Sequence, residues 1–335
     1  MKVLYSPLVK LHVPPRGSGH AEEPRRVDKM LKVLKSLGNG FELVDPGPGR
    51  LEFFGKVHDS MYLEELKSEC ESALDSYFID SDTYISPGTL YALEALAGYG
   101  RFIIEELAGG GGPILAVSRP PGHNAGVAGP GLGAPSLAGS LVNLAAAVAA
   151  SLAERGFRVL IVDVGLSHGN GTQEIIQALG LEGVYMVDVH QDWRVTPPWT
   201  GEPGYTGDGR AVNINLPRGS GDDIFMAVAD SIEELARGLK PDATIVSIGF
   251  DLYRKDTPFT YTNITEATYH RVGSMIAGLK AAVILEGGYR EGLEKGSRAM
   301  LEAILNPEAK PPEPARSGEK AWREFEELHK DLIES

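Results

Sequence analysis

Short contiguous runs of β-branched and aliphatic residues punctuate the chain, and between them lie longer stretches in which apolar residues recur every three to four positions. The contiguous runs at 114–117, 158–164, 183–189, 212–216, 243–248 and 281–285 read as strands. VLIVDV and TIVSIG carry almost no polar alternation, the pattern of strands covered on both faces in a parallel sheet. Helical periodicity spans 87–108, 137–155, 223–238, 265–279 and 293–305. Strands alternating with helices predict βαβ units and a three-layer α/β domain: an open, mostly parallel sheet with helices on both faces. Ligands of such sheets sit beyond the carboxyl ends of the strands, so the polar residues that follow each strand are the candidates for function.

Two Gly- and Pro-rich loops, 126–135 and 191–209, have the length of lids or pocket walls. A domain over 1–306 is followed by a Pro-rich stretch over 307–319, read as a semi-rigid linker, and then by a C-terminal helix over 320–335. In that helix Trp322, Phe325, Leu328 and Leu332 recur at helical spacing, a stripe suited to packing on the domain or docking a partner. No repeat of 20–50 residues points to a solenoid or propeller.

Composition narrows the function classes. With 335 residues, 42% of them hydrophobic, the chain can bury a sizeable core. Lys+Arg 32 against Asp+Glu 46 gives a net charge of −14, a poor match to phosphate backbones, so no direct nucleic-acid partner is expected. The longest apolar stretch, 141–152, is too short to span a bilayer, and the N-terminus does not read as a signal peptide; a cytoplasmic protein without membrane partners is expected. One cysteine, Cys70, excludes an intrachain disulfide and any multi-cysteine metal site. Together with only three glutamines, Gln173, Gln177 and Gln191, it hints at a thermophilic source. The glycine run at 109–112 lacks the strand–turn–helix setting of a phosphate loop.

Five segments stand at strand ends: RPPGHNA at 119–125, VDVGLSHGNGTQ at 162–173, VHQ at 189–191, SIGFDLY at 247–253 and LEGGY at 285–289. Singly each has an ordinary explanation: His123 a structural histidine, Asp251 a turn cap, Gly287 and Gly288 plain turn residues. In this order, and with GHAEEPRR at 19–26, they resemble the histone deacetylase and acetylpolyamine amidohydrolase family, of the arginase-like α/β fold. VHDSMYLEEL at 57–66, TYISPGTLYALEALAGY at 83–99, SLVNLAAAVAA at 140–150 and NINLPRGSGD at 213–222 extend the resemblance over nearly the whole chain. It implies a zinc hydrolase. An Asp-x-His pair after one strand and an Asp after a later one would hold the ion that activates water. Tandem histidines would handle protons, and a tyrosine would donate to the oxyanion.

The frame of that motif set is kept and its centre departs from the family. Asp163, His168, Asn170, Asp251 and Tyr289 match, as does His123, the first tandem histidine. The two zinc positions of the Asp-x-His pair are Gly165 and Ser167, and the second tandem histidine is Asn124, a carboxamide that does not titrate near neutral pH. Ala138 stands where the family places a tunnel aromatic, and Gly133, Trp199, Gly287 and Gly288 are the other expected pocket residues. With Asp251 the only retained ligand, no zinc or other cofactor is expected; a structural potassium ion remains compatible, although one such site loses a ligand at Gly165. The resulting reading is a catalytically inactive pseudo-deacetylase that binds a small molecule or protein, alone or within an oligomer or complex. One alternative is an amide or ester hydrolase with a metal site rebuilt from His168, His190 or His123 with Asp251. Another is a metal-free Ser167/His123/Asp163 centre with Tyr289 as oxyanion donor. The third is a structural subunit of a larger complex.

Overall fold

The computed structural model describes residues 1–206 and 209–330 and builds them around a nine-stranded sheet. Its strands are β1 (Lys2–Leu4), β2 (Glu42–Val44), β5 (Ile114–Ala116), β6 (Val159–Val164), β7 (Val184–Gln191), β8 (Gly204–Thr206), β9 (Ala211–Leu216), β10 (Ala243–Ile248) and β11 (Ala281–Leu285). A separate hairpin pairs β3 (Tyr77–Phe78) with β4 (Tyr84–Ile85). The spatial order is β2-β1-β5-β11-β10-β6-β7-β9-β8, parallel throughout except for the β8–β9 pair. The helices are α1 (Arg25–Ser36), α2 (Ser60–Ser72), α3 (Thr89–Ala108), α4 (Leu144–Ala153), α5 (Asn170–Ala178), α6 (Asp222–Leu239), α7 (Glu266–Ile276), α8 (Glu291–Leu305) and α9 (Glu319–Leu328).

Burial explains why the central strands read so clearly. All residues of β5, β6, β10 and β11 are buried, as a parallel strand covered on both faces requires. Leu160, Val162 and Val164 of β6 face Phe225 and Ile232 of α6 and Val272 of α7. By the two-residue strand period, Ile161 and Asp163 face the opposite layer, where α4 packs with α3 and α5. The expected α/β architecture is therefore present, with a second helical layer of α1, α8, α7 and α6.

The expected helix over 137–155 is shorter than its periodicity suggests. Residues 137–143 form an irregular loop in which Ala138 and Gly139 take left-handed backbone, with φ of 49° and 80°. Helix α4 starts only after Asn143, whose Oδ1 accepts the Ala146 N–H at 2.9 Å as an N-cap. Leu137, Leu141 and Val142 are buried without being helical, and their spacing mimics a helix turn.

The end of the chain folds back on its own domain. Trp322 Nε1 donates to Asp223 at 3.1 Å, Ser317 bonds the same carboxylate, and the Asn215 N–H donates to His329 Nε2 at 3.0 Å. The expected helix over 320–335 is represented by α9; residues 331–335, including Leu332, lie outside the described residues. No helix among the described residues is long and apolar enough to cross a membrane.

Candidate functional site

Polar side chains break the apolar interior in one row. Ser247, Asp163, Asp188 and Asn213 are in register across β10, β6, β7 and β9, and each is at most 1% exposed. Buried polar groups at this depth must find partners, and these do so with the loops beyond the carboxyl ends of the strands. Asp163 faces the imidazole of His123, with Nδ1 at 3.2 and 3.3 Å from its two oxygens. Ser247 Oγ donates to Glu286 at 3.0 Å, and the other Glu286 oxygen accepts the backbone N–H groups of Gly122 and His123. The RPPG turn and the end of β11 are thereby tied together under His123.

Charge decides the state of that histidine. Burial alone would lower it, yet Asp163, with Glu286 and Asp188 behind, outweighs burial and raises His123 to about 10. Asp163, buried near Asp188, is itself pushed upward. The pair thus holds a proton through neutral pH, and His123 is a hydrogen-bond donor rather than a base.

The second tandem position is an amide pair. Asn124 Nδ2 donates to Asn170 Oδ1 at 2.7 Å and to the His168 carbonyl at 3.0 Å, while Asn170 Nδ2 donates to the Gly131 carbonyl at 2.6 Å. Neither member carries a mobile proton near pH 7. On the far side of the row, Asp188 bonds His190 Nδ1 at 2.6 Å and accepts the Gly169 N–H at 2.7 Å. Burial would raise Asp188, but His190 holds it below its ordinary value. His190 Nε2 bonds the Gly201 carbonyl at 3.0 Å. His168 is bonded at both nitrogens, by Thr200 and Gln173, each at 2.9 Å, and burial lowers it to about 4. All four ring nitrogens of His168 and His190 are therefore engaged away from Asp251.

Gly165 and Asp251 mark the centre. A Cβ built on Gly165 would meet only ordinary contacts: His123 Cε1 at 3.7 Å, the Ser167 carbonyl at 3.7 Å and Asp251 Oδ1 at 3.9 Å. The missing side chain would point between His123 and Asp251. Asp251 is half-buried; its Oδ1 accepts the Leu166 N–H at 3.0 Å, and burial raises its carboxyl. Gly287 packs so tightly on this carboxylate that a side chain there would collide with it. Ser167 is half-buried, and no hydrogen bond joins its Oγ to His123 among the described residues. The contact on which a Ser167/His123/Asp163 triad depends is thus not formed.

Tyr289 follows the glycine pair, and burial pushes its hydroxyl upward. Its loop is held from outside the five segments. The Arg26 guanidinium lies 4.9 Å from the Tyr289 ring centroid, donates Nε–H to the Gly288 carbonyl at 2.8 Å and bonds the Glu286 carbonyl. Asp256 accepts the N–H groups of Tyr289 and Arg290, each at 2.8 Å. Arg26 in turn donates to Glu22 at 3.1 Å, and Glu22 takes Arg119 in a bidentate pair at 2.6 and 2.8 Å. The remaining expected pocket residues differ in burial: Gly133 is exposed, Ala138 is half-buried in the loop before α4, and Trp199 is 53% exposed with a left-handed backbone. Glu286, Asp188 and Asp256 were not among the expected site residues. Asp188 had a signal, a lone carboxylate inside the buried run VYMVDVHQ.

A catalytic zinc site takes about three protein ligands and a water. Among the described residues no group of three or more His, Cys, Asp or Glu side chains is placed to share a metal ion.

Comparison with known proteins agrees with the motif reading. A model described as the histone deacetylase domain matches residues 20–304. The chain is 30% identical over 329 residues to a Methanothermobacter thermautotrophicus protein described as "Probable deacetylase", covering 95% of each. It is 32% identical over 309 residues to acetylpolyamine amidohydrolase 1 of Pseudomonas aeruginosa, covering 80% of this chain and 86% of that one. The crystal structure of the HDA15 HD domain superposes with a TM-score of 0.84 at 26% identity, covering 99% of this chain and 94% of that one.

Proposed function

The chain belongs to the histone deacetylase family, and from that premise we propose that it keeps the family's pocket as a binding site and has given up hydrolysis. The observation that carries this reading is the contrast between centre and surround. Gly165, Ser167 and Asn124 remove two metal ligands and the second tandem histidine. Around them His123–Asp163, Asn124–Asn170 and the Arg26-braced Tyr289 loop remain assembled. Zinc does not fit this donor set, because Asp251 alone stands where three ligands are needed.

What the retained groups offer is recognition. Protonated His123 and the Tyr289 hydroxyl are donors suited to a carbonyl oxygen, and Asp251 is an acceptor suited to an N–H. That complement fits an acylated amine, the class named in the acetylpolyamine amidohydrolase relative. The metal-free serine reading is disfavoured by the missing Ser167–His123 contact and by the protonation of His123, which leaves no base for the serine. A rebuilt metal site is disfavoured because His168 and His190 spend every ring nitrogen on other partners.

The test is metal stoichiometry by elemental analysis after equilibration with zinc and desalting. Wild type and Asp251→Ala should both retain close to none, while N-acetylputrescine binds wild type in calorimetry and is recovered intact. The combined Gly165→Asp, Ser167→His and Asn124→His variant should take up about one zinc per chain and hydrolyse the same amide. One zinc per wild-type chain, lost in Asp251→Ala, would overturn the proposal.

A further inference from the structure

Behind the candidate site, on the opposite face of the sheet, lies a pocket. Strands β7 and β9 turn Asp188, His190, Asn213 and Asn215 toward the site and Val187, Val212 and Ile214 the other way. These three form the floor of a cavity of about 490 Å³. Val228, Ile232 and Leu235 of α6 make one wall, and Trp322 and Phe325 of α9 make the other. The volume lies within the range of small-molecule sites, and at about 30 Å³ for a water-sized group it holds roughly sixteen non-hydrogen atoms.

The polar groups on its boundary are few and their states are readable. His329 reaches the cavity but is neutral with a settled tautomer. Its Nε2 accepts the Asn215 N–H at 3.0 Å, so Nδ1 carries the proton and donates to the Phe325 carbonyl at 2.8 Å. Burial also lowers its pKa. Ser231 and Tyr205 stand at the rim as neutral hydroxyls. Among the described residues, the one formal charge on its lining is the exposed carboxylate of Glu326. An apolar floor with a single rim carboxylate complements a molecule with an apolar body and a terminal ammonium, and disfavours the matching carboxylate.

We infer that the groove between α6, α9 and the outer face of β7 and β9 is a second ligand site, and that it takes a small hydrophobic amine. The inference does not depend on what occupies the pocket around Asp251.

Octylamine, octanol and octanoate, each below its aggregation concentration, separate the alternatives in calorimetry on the full chain. Octylamine should bind once per chain, about tenfold or more tighter than octanoate, and Asp251→Ala should bind it equally well. Glu326→Gln should weaken octylamine severalfold and bring it level with octanol. Ile214→Trp and Ala227→Phe, which fill the floor and the α6 wall, should each abolish binding; having two such variants guards against one that fails to fold. The inference is overturned if octylamine does not bind, if binding survives both filled variants, or if octanoate binds as well as octylamine. It is also overturned if octylamine binds only after residues 331–335 are deleted, which assigns the groove to the chain's own tail. Binding only to a dissociated monomer overturns it too, by assigning the groove to a second copy.

Discussion

Replacing Glu22 with glutamine removes one negative charge and little volume, and the structure sets what that costs. The side chain is about 3% exposed and accepts from Arg119 Nε and Nη2, from Arg26 Nη1 and from the Tyr84 hydroxyl at 2.7 Å. Burial alone would raise its carboxyl, but Arg119 and then Arg26 hold it at about 2 against an ordinary 4.5. At about 1.4 kcal/mol per pKa unit, that preference for the ionised form is worth roughly 3 kcal/mol. The glutamine leaves two buried guanidinium groups facing an amide that can turn only one oxygen toward them, and breaking such a buried set costs about 3–5 kcal/mol. Glu22→Gln should therefore lower urea stability by that amount. Because Arg26 also holds the Glu286 and Gly288 carbonyls, hydrogen exchange over 286–290 should accelerate, with Tyr289 released. A loss under about 1 kcal/mol, or unchanged exchange in that loop, would refute the claim that this buried charge set braces the pocket.

Three buried histidines make the fold acid-sensitive: burial lowers His12 to about 3 and His58 and His168 to about 4, against 6.5 unfolded. Each contribution is intact above 6.5 and is lost as pH falls below it, about 1.4 kcal/mol per histidine between pH 7.5 and 5.5, while the upward-shifted His123 and Asp163 act in the opposite sense; a His58→Gln variant that loses urea stability over that interval as steeply as wild type would contradict this. Gly201 has φ of +90° and a Cβ there would stand 2.6 Å from the rings of His168 and His190, so Gly201→Ala should cost about 2–4 kcal/mol. Gly165→Ala should stay within about 1 kcal/mol by the same thermal or urea assay. Asn143→Ala removes the α4 cap and a 2.9 Å bond to Thr172, an expected loss of about 2–3 kcal/mol; a loss near zero would mean the helix start is held otherwise.

Strands β6, β10 and β11 are legible almost to the residue because a doubly covered strand writes its burial as contiguous aliphatic sequence. The three-residue strands β1 and β2 carry no such signal, since KVL and ELV are too short to show a period and β2 is largely exposed. The periodicity does not mark helices α1, α2 and α5, and it carries α4 backwards over a loop whose leucines are buried without being helical. Within the site, Asp163, Asp251 and Tyr289 stand out by their place after strands. The role of Glu22 is not visible at all, because Arg119 lies 97 residues away and only the fold makes them neighbours. The loss of a ligand at Gly165 is readable as a missing donor; that a Cβ there would meet only ordinary contacts is visible only in the fold.

The strand order also bears on how the chain is made. In sequence β6 follows β5, but in the sheet β11 and β10 stand between them. A nascent chain that has not yet exposed residues 243–285 holds two incomplete pieces, β2-β1-β5 and β6-β7-β9-β8, each ending in an apolar strand with an unpaired edge. Unpaired apolar edges recruit other chains, so this interval of synthesis is when the protein most needs a chaperone. The two strands that close the gap carry Asp251, Glu286 and Tyr289 directly behind them. Joining the halves and completing the pocket are then a single late event, and a ribosome that stops short of residue 285 releases a protein lacking both.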